Sequence, residues 1–345
     1  MRLHVVNLPH TNTTKDYSWC AYTQKVRKFC DMMTGRGHEV ILYGGSETEA
    51  NVTEFVPIGA PDNDPLNIPD FGAHNPLFSD FNKIAIKEMT TRVNPRDFIC
   101  LIAGTAQQEI AYVFPELMAV EYGVGYSGVF SKYRVYESYA WMHMLYGASA
   151  DPHAVDGRFY DAVIPNYFDT AEFQFNPEPE DYYLYLGRLI DRKGWRLAVE
   201  GCEKLDKPLV IAGPGDPGEL PDNCIYIGTI GSEQRDLVLG KALATFTPSL
   251  YVEPFCGVHV ESMLCGTPVI TTDWGVFPET VTDGKQGYRC RTFRQFCEAA
   301  LAAPSLNRRM ISRYARGRFT TEVIAPLYDD YFRRLESLWE QGFYQ

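Results

Sequence analysis

The sequence predicts an α/β protein of two parallel-sheet lobes facing a cleft, and three observations carry that reading. The chain has 345 residues, against a usual domain size of roughly 150. Strand and helix patterns alternate from its start. The alternation breaks at a polar, proline-bearing stretch across residues 166–181 and then resumes, the order that builds parallel sheets.

MRLHVVNL, YSWCAYTQKVRKFCDMM and HEVILYG read as strand, helix, strand. Cys20, Tyr22, Val26, Cys30 and Met33 recur at helical spacing, and Gly35 and Gly37 supply the stop. Lys25, Arg27 and Lys28 form the densest early basic cluster, which reads as a solvated helix face. Residues 57–80, rich in Pro, Asn, Asp and Gly, read as a long surface loop. DFICLIAG, residues 97–104, is a short apolar run of the kind buried in a parallel sheet, and YRVYESYAWMHMLYG, residues 133–147, reads as a helix. In the second lobe YYLYLG, WRLAVEGCEKL, PLVIAG, CIYIG, EQRDLVLGKA, ATFTPSL and TPVITT continue the alternation. VIAPLYDDYFRRLESLWEQGF is helical with no strand after it, so it crosses back onto the first lobe. The expected domains are residues 1–165, 166–322 and a returning helix over 323–345.

A hydrophobic content of 45% with 22% charged residues is that of a soluble globular protein. No stretch approaches the ~20 apolar residues that span a bilayer. Met1 leads straight into a strand with no signal sequence, so a cytoplasmic location is expected. Nine scattered cysteines without a C-x-x-C pair point to neither a disulfide framework nor a zinc site. A net charge of -12 disfavours an indiscriminate polyanion binder.

Four segments of the second lobe follow strands, where open α/β sheets bind ligands: LGRLIDRKG, AGPGD, IGTIG and EPFCGVHVE. In the first, Gly187 lets the backbone turn. Arg188 and Lys193 can hold a diphosphate, the one as a planar fork and the other as a point charge; the alternative is a basic loop paired with surface acids. Gly213 and Gly215 of AGPGD allow close backbone approach. In EPFCGVHVE, Pro254 suits the first turn of a helix whose N-terminus favours phosphate. Glu253 and Glu261 would then lie about two turns apart, able to accept from sugar hydroxyls.

Other patterns are set aside. Gly123, Gly125 and Gly128 spell G-x-G-x-x-G, yet no acidic residue closes a following strand, so these glycines shape a turn. Asp62 and Asp64 make a D-x-D flanked by prolines, a surface turn in preference to a metal site. Asn12 begins N-T-T, but nothing directs the chain to a compartment that glycosylates it.

GRLIDRKG, AGPGD, the E-x7-E from Glu253 to Glu261 and CGTPVITTDWGVFPETVTDGKQGY together resemble the nucleotide-sugar domain of retaining GT-B glycosyltransferases of family 4, over residues 183–290. The resemblance implies two Rossmann-like lobes, the second binding a nucleoside diphosphate sugar. It implies that Arg188 and Lys193 hold the donor diphosphate, Glu253 sits against the donor sugar and Glu261 binds the ribose hydroxyls. Phe255, Cys256, Gly257 and Val258 would contact sugar and phosphate, and the segment from Ile227 through Gly228 to Ile230 would edge the base. The family places Gly where this chain has Cys256, a side chain that would narrow the sugar pocket. The implied reaction retains the anomeric configuration by front-face attack, without a metal or a tightly bound cofactor, and a UDP-sugar is favoured over a GDP-sugar. NLPHTNTTKDYSWCAY and VEYGVGYSGVFSKYRVYESYAWMH resemble glycosyltransferase-like proteins of phage and environmental viruses. That likeness raises a hydroxymethylated pyrimidine in viral DNA as acceptor, and the host cytoplasm as location, although the acidic balance counts against DNA. His10, just after the first strand, is a catalytic candidate that would position the acceptor or the donor sugar, the alternative being a packing histidine; on the acceptor side the candidates are Thr11, Tyr126 and His143, with Thr105 and Gln107 where related enzymes often carry a histidine. A glycan or small-molecule glycosyltransferase, a sugar-nucleotide epimerase and a non-catalytic nucleotide-sugar binder are the alternatives.

Overall fold

The computed structural model describes residues 1–59, 75–149 and 158–339; Asp62 and Asp64 lie outside them. The chain divides into two compact units. The first holds residues 1–137 and 145–167 with the C-terminal segment from Thr321, and the second holds residues 138–144 and 168–320.

From the start of the chain to the end of the first sheet the order is β1 (Arg2–Val6), α1 (Ala21–Gly35), β2 (Glu39–Gly44), β3 (Glu54–Pro57), α2 (Pro76–Thr90), β4 (Phe98–Leu101), α3 (Gln108–Val113), β5 (Met118–Val124), β6 (Tyr133–Tyr136), α4 (Tyr139–Ala148) and β7 (Asp161–Val163), all in the first unit except residues 139–144 of α4. These strands form one parallel sheet in the order β3-β2-β1-β4-β5-β6-β7. All four residues of β4 are buried, as a strand covered on both faces requires.

The second unit runs β8 (Tyr183–Leu186), α5 (Trp195–Leu205), β9 (Leu209–Ala212), β10 (Cys224–Tyr226), α6 (Ser232–Lys241), β11 (Thr245–Thr247), α7 (Gly257–Leu264), β12 (Val269–Thr272), α8 (Phe277–Thr280), β13 (Gly287–Cys290), α9 (Phe293–Ala302) and α10 (Arg308–Phe319). Its parallel sheet has the order β10-β9-β8-β11-β12-β13. The last helix, α11 (Thr321–Leu338), packs on α1. Phe29 meets Tyr328 and Phe332 there, and Asp329 accepts from Arg36 and pairs with His38.

Four expectations change. Residues 76–80 are helix, because Asn75 caps α2 by accepting from the Leu77 amide at 2.9 Å and Pro76 suits its first turn. Residues 133–136 are strand, since Tyr133, Val135 and Tyr136 suit a pleated surface and the segment pairs between β5 and β7 before the helix begins. Residues 138–144, expected in the first lobe, belong to the second unit. Lys25, Arg27 and Lys28 are buried, their stems lying along α1 with Lys25 paired to Glu137. Gly123 and Gly128, both at positive φ, sit around the irregular end of β5, and a strand rather than a helix follows.

Candidate functional site

In the second sheet β9 and β10 lie on one side of β8, and β12 and β13 on the far side of β11. The order reverses between β8 and β11, and loops leaving the carboxyl ends of such a pair are where open sheets take ligands. Lys193 ends a short 3-10 turn after β8, and Glu253 closes the loop after β11. The Lys193 ammonium donates to Oε1 of Glu253. Ser249 Oγ donates to the same oxygen at 2.7 Å, and the Tyr251 hydroxyl donates to Oε2 at 2.6 Å.

Two glycines let these loops close up. Gly194 has φ 68, and a Cβ there would fall 2.0 Å from the Pro248 carbonyl oxygen. Gly275 has φ 62, and a Cβ there would fall 2.6 Å from the Glu253 nitrogen. Any L side chain at either position would push the Glu253 loop away.

Burial alone would raise the Glu253 carboxyl, but the Lys193 ammonium and the donated hydrogen bonds outweigh it and hold the group below the usual carboxylate range. Burial likewise works against the Lys193 ammonium, and the Glu253 carboxylate more than restores it. The pair is therefore ionised. A carboxylate offers about four lone-pair sites; three donors occupy Glu253, leaving capacity for one more hydroxyl.

Pro254 lies outside the helix it was expected to open. Cys256 stands at φ 65 as the cap of α7, which begins at Gly257, so Glu253 is on the preceding loop and only Glu261 is helical. The two carboxylates are consequently not stacked along one helix. Phe255 is buried against Phe168, Phe319 and His259, so its side chain belongs to the core. His259 bonds the Cys256 carbonyl through Nδ1 and Thr280 Oγ1 through Nε2 at 2.8 Å, which fixes the cap. Burial pushes this histidine down to about 4 and the Cys256 thiol up to about 12, leaving both neutral at neutral pH. Glu261 is held by Arg235 of α6.

Gly187 leaves β8 with its amide on the Ala212 carbonyl at 2.9 Å. The Gly213 amide donates to Gly228, and the Tyr226 hydroxyl donates to the carbonyls of Gly213 and Gly215, so the loops after β9 and β10 are tied together. Arg188 is exposed and, among the described residues, enters no ion pair, unlike the surface pairing held open as its alternative. Ile230 packs on the core of the unit, and Gly257 and Val258 form the first turn of α7.

Of the acceptor-side candidates His10, Thr11, Gln107 and Tyr126 are buried in the first unit, Thr105 is half-buried there, and His143 belongs to the second unit. His10 is buried beside Trp19, with Nε2 3.7 Å from Cys20 Sγ, and burial pushes it down to about 4. Thr11 shares a 2.6 Å hydrogen bond with Thr23. Gln107 accepts from the amides of Ile102 and Ala103 and donates to the Asn7 carbonyl, each at 3.0 Å, clasping the ends of β1 and β4. The Thr105 amide bonds the Gly128 carbonyl at 2.8 Å, and the buried Tyr126 donates to Glu121. His143 is exposed on α4, whose opening amides at Tyr139 and Ala140 are capped by Glu279.

Sequence reasoning missed Ser249, Tyr251, Arg235 and His259. The first two stand within four residues of Glu253, a hydroxyl-rich approach to a buried carboxylate that was available as a signal. Arg235 had none, because its partner is 26 residues away on another helix.

Residues 168–302 match the family model of glycosyl transferases group 1. The chain is 31% identical over 147 residues to the phosphatidyl-myo-inositol mannosyltransferase of Mycolicibacterium smegmatis, covering 37% of this chain and 38% of the relative. It is 29% identical over 160 residues to spore coat protein SA of Bacillus subtilis, covering 39% and 42%. The matched length is thus about two fifths of each relative's own. Over nearly the whole chain the fold is that of a glycosyltransferase involved in avilamycin A biosynthesis, with TM-score 0.71, 19% identity and 98% of both chains covered. It is also that of Anabaena HepE in complex with UDP-glucose, with TM-score 0.67, 14% identity, and 98% of this chain and 100% of that one covered. Residues 168–302, within the second unit, are thus similar to group 1 glycosyl transferases, and the chain has two Rossmann-like parallel-sheet lobes with the GT-B fold.

Proposed function

We propose that the chain is a retaining glycosyltransferase that moves a sugar from a nucleoside diphosphate sugar to an acceptor hydroxyl. The observation that carries this reading is the ionised Lys193–Glu253 pair at the reversal point of the second sheet, in the same loop as Arg188, which enters no ion pair among the described residues. Arg188, Lys193 and the amides opening α7 stabilise negative charge growing on a departing diphosphate. Glu253, already oriented by three donors, accepts from a sugar hydroxyl. The bond from the anomeric carbon to the phosphate oxygen breaks as the bond to the acceptor oxygen forms on the same face, and the acceptor proton passes to the leaving phosphate. Arg188 and Lys193 carry the charge in this scheme, so turnover is expected to survive EDTA.

A UDP-sugar is favoured as donor because HepE, which shares the fold, binds UDP-glucose. A hydroxyl on a glycan or small molecule is the favoured acceptor. Two relatives are named for action on phosphatidyl-myo-inositol and for glycogen synthesis, and a net charge of -12 disfavours nucleic acid. A hydroxymethylated pyrimidine in DNA rests on the first-lobe resemblance alone. Incubation with UDP-, GDP- and ADP-sugars, with and without hydroxymethylated DNA or a glycan panel, separates these by released diphosphate and acceptor mass. A glycan or small molecule gaining one sugar supports the reading. No diphosphate release from any donor sinks it, and free epimerised sugar replaces transfer by epimerisation.

A further inference from the structure

Arg235 sits one turn into α6, its amide on the Gly231 carbonyl at 2.9 Å, directly after the 227–231 loop. Its guanidinium donates through Nε at 2.7 Å and through Nη2, and both bonds fall on Oε2 of Glu261. Oε1 accepts no hydrogen bond among the described residues. It lies over the first turn of α7: a Cβ built on Gly257 would be 3.6 Å away. The side chains are 21% and 12% exposed, so the pair is neither a solvated surface bridge nor sealed in the core.

A pair that serves only to tie α6 to α7 is best made as a fork on both carboxylate oxygens. Here both donors fall on one oxygen, and the other, which is not sealed from solvent, keeps its capacity to accept. Holding Oε2 also removes the rotamer freedom that Glu261 would otherwise lose on meeting a ligand, about 1–2 kcal/mol for such a side chain.

We propose that Arg235 is a positioning residue for nucleotide binding, pinning Oε2 of Glu261 so that Oε1 is presented to the ribose hydroxyls of a nucleoside diphosphate. This rests on the donor reading above, and on Glu261 meeting the ribose. Arg235 touches no reacting atom in this scheme; it acts through the carboxylate.

Calorimetric titration of the full chain separates the two levels. UDP, GDP and ADP are compared on the wild type, and the tightest binder is then compared with its 2′,3′-dideoxy analogue on the wild type, Arg235→Ala, Arg235→Lys and Glu261→Gln. Arg235→Ala is expected to weaken the ribonucleotide about tenfold or more, as the loss of a charge-assisted contact does, and to leave the dideoxy analogue unchanged. Arg235→Lys, which keeps the charge without the planar fork, should fall between, and it supplies the result if the alanine variant does not fold. Equal weakening of both nucleotides in either arginine variant overturns the proposal, because a purely structural tie would do that. If the wild type does not distinguish ribose from dideoxyribose, the Glu261 contact is removed and the proposal with it. If it binds none of the three nucleotides, the donor reading itself fails.

Discussion

Among the described residues each unit contains a lysine–glutamate pair with a buried carboxylate, Lys25–Glu137 and Lys193–Glu253, and the two pairs differ in a way that separates scaffold from site. Lys25 and Glu137 in the first unit are sealed at both ends, with side chains 5% and 4% exposed. Lys25 is further held by the Gly123 carbonyl and the face of Tyr22. Lys193 and Glu253 in the second unit are sealed only at the glutamate, with exposures of 20% and 3%. The lysine end lies beside Tyr251, whose face also carries Arg192. A pair closed at both ends can only support the fold. One with its carboxylate fixed and its ammonium reachable has charge to offer a ligand, because its desolvation is already met within the protein.

The largest expected effects test that contrast. Removing either lysine leaves a buried carboxylate uncompensated, so Lys25→Ala and Lys193→Ala should each lose about 3 kcal/mol or more in urea unfolding. Their activities should part: Lys193→Ala is expected to lose at least about 100-fold in turnover, the scale of one missing transition-state donor, while the folded fraction of Lys25→Ala keeps the wild-type rate. Equal losses of turnover per folded molecule would erase the distinction.

A smaller effect comes from protons. Burial holds His10 and His259 at about 4, against ~6.5 for an unfolded histidine. The unfolded chain then binds protons more readily between those values, so stability is full above ~6.5 and falls as pH drops toward 4. Glu253 adds a loss of the same sign at lower pH, since its folded carboxyl is depressed. The urea midpoint should therefore decline from pH 7 to pH 4.5. His259→Gln should flatten part of that slope, and a midpoint equally steep in the variant would remove His259 as a contributor.

The smallest effect sharpens the picture of the cap. Cys256 holds a left-handed conformation that costs an L residue about 1–2 kcal/mol, offset by about 0.5–1 kcal/mol of extra unfolded-state entropy for glycine. Cys256→Gly should thus raise stability by roughly 0.5–1 kcal/mol while admitting bulkier donor sugars. Unaltered donor preference would make the thiol a bystander.

What could be read from the sequence follows from how local each signal is. Buried strands such as FICL and the loops after them announce themselves by apolar runs and glycines, and the parallel character of the sheets follows from the alternation. Helix α2 was hidden because the Pro- and Asn-rich run leading into it also supplies its cap. β6 was hidden because an aromatic helix follows it after two residues. Glu253 and Glu261 were found by their spacing, but not the break at Cys256 that puts one on a loop. Lys193 stands out in the sequence by its place in the loop after a strand, whereas Arg235 is one basic residue in a polar stretch with no such mark. Only the tertiary structure shows the carboxylates, 60 and 26 positions away, that the two meet.

The most direct measurement is single-turnover release of diphosphate from saturating nucleotide-sugar by the wild type and by Glu253→Gln, with nucleotide affinity measured on the same samples. The substitution keeps the shape and two oxygen-or-nitrogen contacts but removes the charge that holds Lys193. Near-unchanged nucleotide binding with release slowed by about 100-fold or more is the expected result. Release at the wild-type rate would contradict the central role given to the Lys193–Glu253 pair.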